Sequence, residues 1–154
     1  MNKYHPTYFI HNGYEYFLGL ANNYGYHVDT VFYHINKYNY PTWVLFKKSD
    51  VKGHISRLEN EMFQVADEYS SQKTFPFNVK KLWIGIENKE DKSKNILIEV
   101  NDTTYAFTLP PLDEEKPSES IQTIKIDFSV ETNILNLSLK DSNIIIYDPI
   151  IMGY

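Results

Sequence analysis

The side chains of this chain best suited to acid–base or metal chemistry are its five histidines, since imidazole titrates near neutrality and ligates metals. His27 and His34 stand seven positions apart. On a helix that is two turns, too far for a two-histidine chelate at i and i+4, and no H-E-x-x-H, cysteine or Asp/His cluster joins them. The sequence therefore names no catalytic residue and no metal ligand. An enzymatic alternative, a small hydrolase using His27 or His34 with nearby tyrosines, needs a third group to orient the imidazole. Adjacent pairs such as Tyr33 and His34 point about 100° apart on a helix, which makes them weak support. G-x-G-x-x-G, G-x-x-x-x-G-K-[ST] and G-x-S-x-G are all missing, so no cofactor is expected.

Rings are the more conspicuous chemistry. Residues 22–43, NNYGYHVDTVFYHINKYNYPTW, concentrate tyrosines, two histidines and a tryptophan. Tyr24, Tyr26, Tyr33, His34, Tyr38 and Tyr40 are the expected binding residues there, because aromatic side chains with a polar tip bury large area at small rotamer cost. Residues 1–48 carry four lysines against two acids, a net of 4 − 2 = +2, and the remainder 11 − 18 = −7, summing to the formal −5. That acidity, with no arginine near the rings, argues against nucleic acid, whose phosphates require a basic surface. The loop LDEEKPSES instead places Asp113, Glu114, Glu115 and Glu119 where they could steer a basic protein partner.

Composition bounds the rest. A chain of 154 residues, 42% hydrophobic and 23% charged, is sized and composed to fold as a single domain over residues 1–154. Without cysteine it has neither disulfides nor thiolate metal sites, which fits a reducing cytoplasm. No apolar run approaches the length of a membrane span or a signal-peptide core, so no membrane partner is expected.

The elements that must position these groups divide into an aromatic-rich front (1–48), a helix (about 49–71) and a β-meander (about 78–148). In the front, YEYFLGL reads as a strand. Val28, Val31, Phe32 and Ile35 fall at offsets 0, 3, 4 and 7, one face of a short helix. A competing strand reading would put Val28, Thr30, Phe32 and His34 together, with Val31, Tyr33 and Ile35 opposite. From Ser49 to Ser71 a heptad-like stripe (Val51, Ile55, Leu58, Met62, Val65, Ala66, Tyr69), with a capping box in SRLE, predicts a long amphipathic helix. Period-two alternation then dominates: Leu82, Ile84 and Ile86 against Trp83 and Gly85, then Ile96, Ile98 and Val100, an Asn101–Asp102 turn, and further alternating runs to NIIIY. The expected fold is α+β, an antiparallel meander covered by one long helix. The apolar last strand would leave an open edge that permits homo-oligomers. The expected function is a protein-binding module, by analogy an inhibitor or neutralising partner of the immunity or counter-defence type. A carbohydrate-binding module using the front aromatics as sugar platforms is a further alternative.

Overall fold

The computed structural model describes residues 6–13, 15–34, 41–58, 63–116 and 121–154. The chain is almost entirely β, which overturns the expected α+β architecture. In order, the elements are β1 (Tyr8–Asn12), α1 (Glu15–Asn23), β2 (Tyr26–Tyr33), β3 (Thr42–Lys48), β4 (His54–Arg57), β5 (Phe63–Thr74), β6 (Val79–Asn88), β7 (Lys94–Val100), β8 (Thr103–Leu109), β9 (Ile121–Asp127) and β10 (Ile134–Gly153). All strand pairs are antiparallel.

β10 organises the molecule. Along one side it pairs first with β7 and then with β6; along the other, with β5 and then β4. The order β8-β7-β10-β6-β9 is therefore no meander, because β10 separates β6 from β7, which are consecutive in the chain. The two short runs LNLSL and NIIIY belong to this one strand, interrupted by a register shift between Lys140 and Ile144, with Asn143 at positive φ. Far from leaving an open edge, the last strand has hydrogen-bonded neighbours on both sides. That removes the ground on which homo-oligomers were expected.

The long helix expected over 49–71 is instead β4 and β5. Ile55 packs in one core cluster with Trp83 and Met152, and Leu58 in the other with Leu82 and Ile151. A helix would have put these two side chains on one face; an extended chain sends odd and even positions opposite ways. Register from Ile134↔Thr74 to Tyr147↔Phe63 shows the alternative's advantage, since β5 satisfies a row of β10 backbone groups that a helix would have left unpaired. Ser56 hydroxyl reaches the Arg57 carbonyl and caps nothing.

In the front, the expected strand is a helix, and of the two readings of the next segment the strand one holds. From Glu15 on, the segment expected as a strand is α1, whose Leu18 and Ala21, three apart, are buried; the helix ends in a turn at Gly25, where φ is +73°. HVDTVFY is β2, not a helix. Val28 pairs with Phe46 and Thr30 with Leu45, so Asp29 is the extra residue of a bulge. The bulge turns both Val28 and Val31 inward, reproducing in a strand the three-residue spacing of a helix.

The three-stranded sheet, order β1-β3-β2, and α1 cover one face of the β6/β10 region through Trp83, Tyr147, Ile150 and Met152. The opposite face carries Leu82, Ile84, Ile86, Ile144, Ile146 and Ile151 into the larger cluster with β7 and β9. β6 is thus buried on both faces, each fully buried Leu or Ile contributing about 1.5–3 kcal/mol.

Candidate binding face and clefts

The three-stranded sheet is pinned to the central strands by Tyr33. Its ring lies on Gly85, where a Cβ would fall 2.5 Å from the ring's Cγ, and its hydroxyl donates between the carbonyls of Asp148 (2.8 Å) and Trp83 (3.1 Å). Burial, then the nearby Asp148 charge, pushes this phenol well above its ordinary value. Beside it, Asp148 accepts from Arg57 Nε at 2.8 Å and from Thr42 Oγ1 at 3.1 Å. Burial pushes the Asp148 carboxyl up to about 6 although Arg57 and Thr42 both favour its ionised form. A second buried carboxylate, Glu87, accepts from the Tyr147 hydroxyl at 2.6 Å. A carboxyl near neutrality is a usual sign of an active site. Here both oxygens are engaged and the residue is 2% exposed. With its oxygens taken up by Arg57 and Thr42, Asp148 ties β10 to β4 and β3.

Because inward positions are taken up by this packing, alternate residues of the same strands face away from the core. Tyr8, Ile10 and Phe32 are 47%, 52% and 39% exposed, and Trp43 and Leu45 are half-buried. Register places Ile10, Leu45 and Thr30 in one cross-strand row, Asn12, Trp43 and Phe32 in the next, and Tyr8, Lys47 and His27 at the other end. β1 and β2 flank this apolar face, and each has a single hydrogen-bonded neighbour among the described strands.

Two clefts open elsewhere. One, of about 480 Å3, lies between the Asn101–Asp102 turn and residues 127–132, with Tyr105, Phe128, Asp127 and Thr132 in its wall. The other, of about 250 Å3, gathers His27, Lys47, Lys48, Lys81 and Tyr154. Burial and the charge of Lys81 lower the His27 pKa, against a hydrogen bond to the Val51 backbone that raises it.

The residues expected to bind are scattered. Tyr26 and Tyr33 are buried, the Tyr26 hydroxyl donating to the Pro6 carbonyl at 2.6 Å. Tyr24 and His34 are exposed but stand at opposite ends of β2. Tyr38, Tyr40 and Glu119 lie outside the described residues, as does Ile35. Asp113, Glu114 and Glu115 are exposed, and Asp113 Oδ1 accepts from the backbone N–H groups of Glu115 and Lys116, a local turn. Phe32, expected in the core, is outside. Tyr8, Ile10 and Leu45 were not among the expected binding residues, Leu45 falling in TWVLF, which reads as a buried strand. Alternation in YFIHN and TWVLFKK was the available signal, and it does not say which face is covered.

No helix among the described residues is long and apolar enough to cross a membrane, and no cluster of His, Asp and Glu among them could hold a metal ion. No protein-family model and no curated protein matches the sequence. Among solved structures, the chain is similar to the catalytic unit of a GH87 α-1,3-glucanase from Streptomyces thermodiastaticus (9% identity, 68% of this chain and 26% of that one, TM-score 0.38). It is also similar to an exo-β-1,3-galactanase from Phanerochaete chrysosporium (11%, 70% and 30%, 0.39). A third is a Cry1Da tryptic core variant from Bacillus thuringiensis (10%, 82% and 30%, 0.40). The chain spans less than a third of each of these proteins, and likeness at this level carries no inference about its function.

Proposed function

We propose that this chain is a cytoplasmic protein-binding module that meets its partner through the outer face of the three-stranded sheet. One observation carries the reading: Ile10, Leu45, Trp43 and Phe32 lie in adjacent cross-strand rows on a face turned away from the core. A contiguous apolar face with aromatic members is the usual centre of a protein interface. The flanking strands β1 and β2 also offer backbone groups for strand addition. The cysteine-free composition suits a cytoplasmic setting. Asp113, Glu114, Glu115 and Glu119 would steer a partner that is basic on the corresponding side, acting on the association rate. Neutralising the bound protein is the consequence expected if the face covers that protein's own working surface.

The test compares the wild-type chain with an Ile10→Ser/Phe32→Ser variant. Both positions are exposed, so the fold should be retained within about 0.5 kcal/mol per site. A stoichiometric partner captured by the wild type and bound at least about tenfold more weakly by the variant is the expected result. Equal capture by both chains would refute the assignment of this face.

A second reading moves carbohydrate binding from the front aromatics to the larger cleft, where Tyr105 and Phe128 stand beside Asn101, Asp102, Asp127 and Thr132. Apolar rings among converging amides, hydroxyls and carboxylates suit a neutral polyhydroxylated ligand. Saturable sugar binding abolished by Tyr105→Ala, with Ile10→Ser without effect, would favour it over the first reading.

A further inference from the structure

The hydrogen-bond phase of β1 decides which of its backbone groups look outward. Lys48 N–H donates to the Thr7 carbonyl at 2.8 Å and Gly13 N–H to the Thr42 carbonyl at 3.0 Å, one at each end of the ladder that matches Tyr8 with Lys47 and Asn12 with Trp43. In an antiparallel ladder every second residue exchanges both its bonds with the partner strand. Phe9 and His11 therefore bond to β3, while Tyr8, Ile10 and Asn12 direct N–H and C=O away from it. The Asn12 N–H is taken by His11 Nδ1 at 2.9 Å. Tyr8 and Ile10 each keep a donor and an acceptor on the edge of the sheet, where β1 has no further strand among the described residues. Their side chains, 47% and 52% exposed, stand on the outer face beside those groups.

The β2 edge of this sheet differs. His34 N–H donates to the Pro41 carbonyl and Ser49 N–H to the Gly25 carbonyl, which by the same phase turns the backbones of Tyr26, Val28, Val31 and Tyr33 away from β3. Those four side chains are buried, β2 also contacts β4, β6, β9 and β10, and the bulge at Asp29 interrupts the row. A bulge is a usual guard against strand addition, and the β1–β3 register runs without one. Charge then narrows the kind of strand that β1 suits. β1 and β3 contain no Asp or Glu, and on their outer face Lys47 holds its ammonium over the Tyr8 ring, 5.7 Å from the centroid.

We propose that the Tyr8–Asn12 edge takes up an extended peptide segment of a partner protein as a fourth strand, with an acidic side chain opposite Tyr8 and an apolar one opposite Ile10. The proposal rests on the protein-binding reading of this sheet and adds the edge, the binding mode and the chemistry of the bound segment. An antiparallel strand added there exchanges two hydrogen bonds with Tyr8 and two with Ile10. Period two puts its alternate side chains on the outer face, continuing the row of Ile10 and Leu45. Neighbouring strands lie about 4.8 Å apart, so a carboxylate opposite Tyr8 is within reach of the ammonium that Lys47 holds over that ring.

The probe is a blocked seven-residue peptide of alternating threonine and valine closed by a glutamate at each end, so that either strand direction brings a carboxylate opposite Tyr8. Its twin carries lysine at both ends. Each is titrated into the full chain and followed by backbone amide NMR. Saturable binding in the millimolar range or tighter is expected, with slowed exchange of the Tyr8 and Ile10 amides and about three- to tenfold weaker binding of the lysine peptide. Lys47→Glu, at an exposed position, should reverse that preference. Ile10→Pro removes an outward N–H that the β1–β3 ladder does not use, and should weaken binding at least about tenfold more than Ile10→Ser, which keeps it. Slow exchange at Phe9 and His11 in the proline variant checks that β1 is still paired; if it is not, the Lys47→Glu reversal decides alone. Shifts that never saturate, a peptide preference untouched by Lys47→Glu, or equal binding by a paired Ile10→Pro and Ile10→Ser would overturn the proposal. That failure differs from failure of the face: a partner bound equally by Ile10→Pro and Ile10→Ser but lost in Ile10→Ser/Phe32→Ser would keep the face and exclude strand addition.

Discussion

Asp148 sits beside Arg57, a partner that would ordinarily hold a carboxyl below its free value, yet its pKa is pushed up to about 6 because burial strips its hydration. The native carboxyl therefore binds its proton more tightly than an unfolded aspartate at 3.8. Between about pH 4 and 6 the folded state carries more protons than the unfolded state, so this group's contribution to stability falls as the pH rises and is flat above 6. Asp148→Asn removes the titration. Urea unfolding from pH 4 to 7 should show the variant gaining about 2–3 kcal/mol on the wild type across that window. Parallel profiles would mean that Arg57 and Thr42 compensate the burial fully. Nothing near Asp148 in the sequence signals this behaviour: YDPII reads as a strand end, and its partners lie 91 and 106 positions away.

Pairing between elements turns on places where side chains must be small. Gly85 lies in the middle of β6, where glycine ordinarily weakens a strand. It is needed because the Tyr33 ring occupies the space of its Cβ. Gly85→Ala should displace Tyr33, separate the three-stranded sheet from β6, and cost about 1–3 kcal/mol. Chemical denaturation of the variant would measure the loss, and an unchanged midpoint would show that the sheets meet by other contacts. β2 shows the same dependence from the opposite side: its bulge at Asp29 keeps Tyr26, Val28, Val31 and Tyr33 on the inner face while Thr30, Phe32 and His34 turn outward. The alternation of β6, β7 and β9 was legible because short turns and strict period two leave one solution. A bulged strand was not, because one extra residue converts period two into an apparent helical spacing.

For the molecule as a whole, β10 is the strand around which the rest closes, with neighbours along both sides and side chains in both core clusters. Amide hydrogen exchange should therefore be slowest at Leu137, Leu139, Ile144 and Ile146, approaching global unfolding, and faster in β1 and α1. Comparable protection in β1 would contradict this hierarchy. The sequence by itself determined an acidic, cysteine-free chain with no recognisable catalytic or cofactor motif. It also determined the in-and-out assignment of Leu82, Ile84, Ile86, Ile96, Ile98 and Val100, since these follow from composition and local period. Tertiary structure alone decided that residues 54–57 and 63–74 are strands, because their helical stripe competes with a β10 edge contributed by residues 60 or more positions later. It also decided which faces stay open. Tyr8, Ile10 and Phe32 are outside only because the three-stranded sheet has one face to pack and the central strands need one face covered.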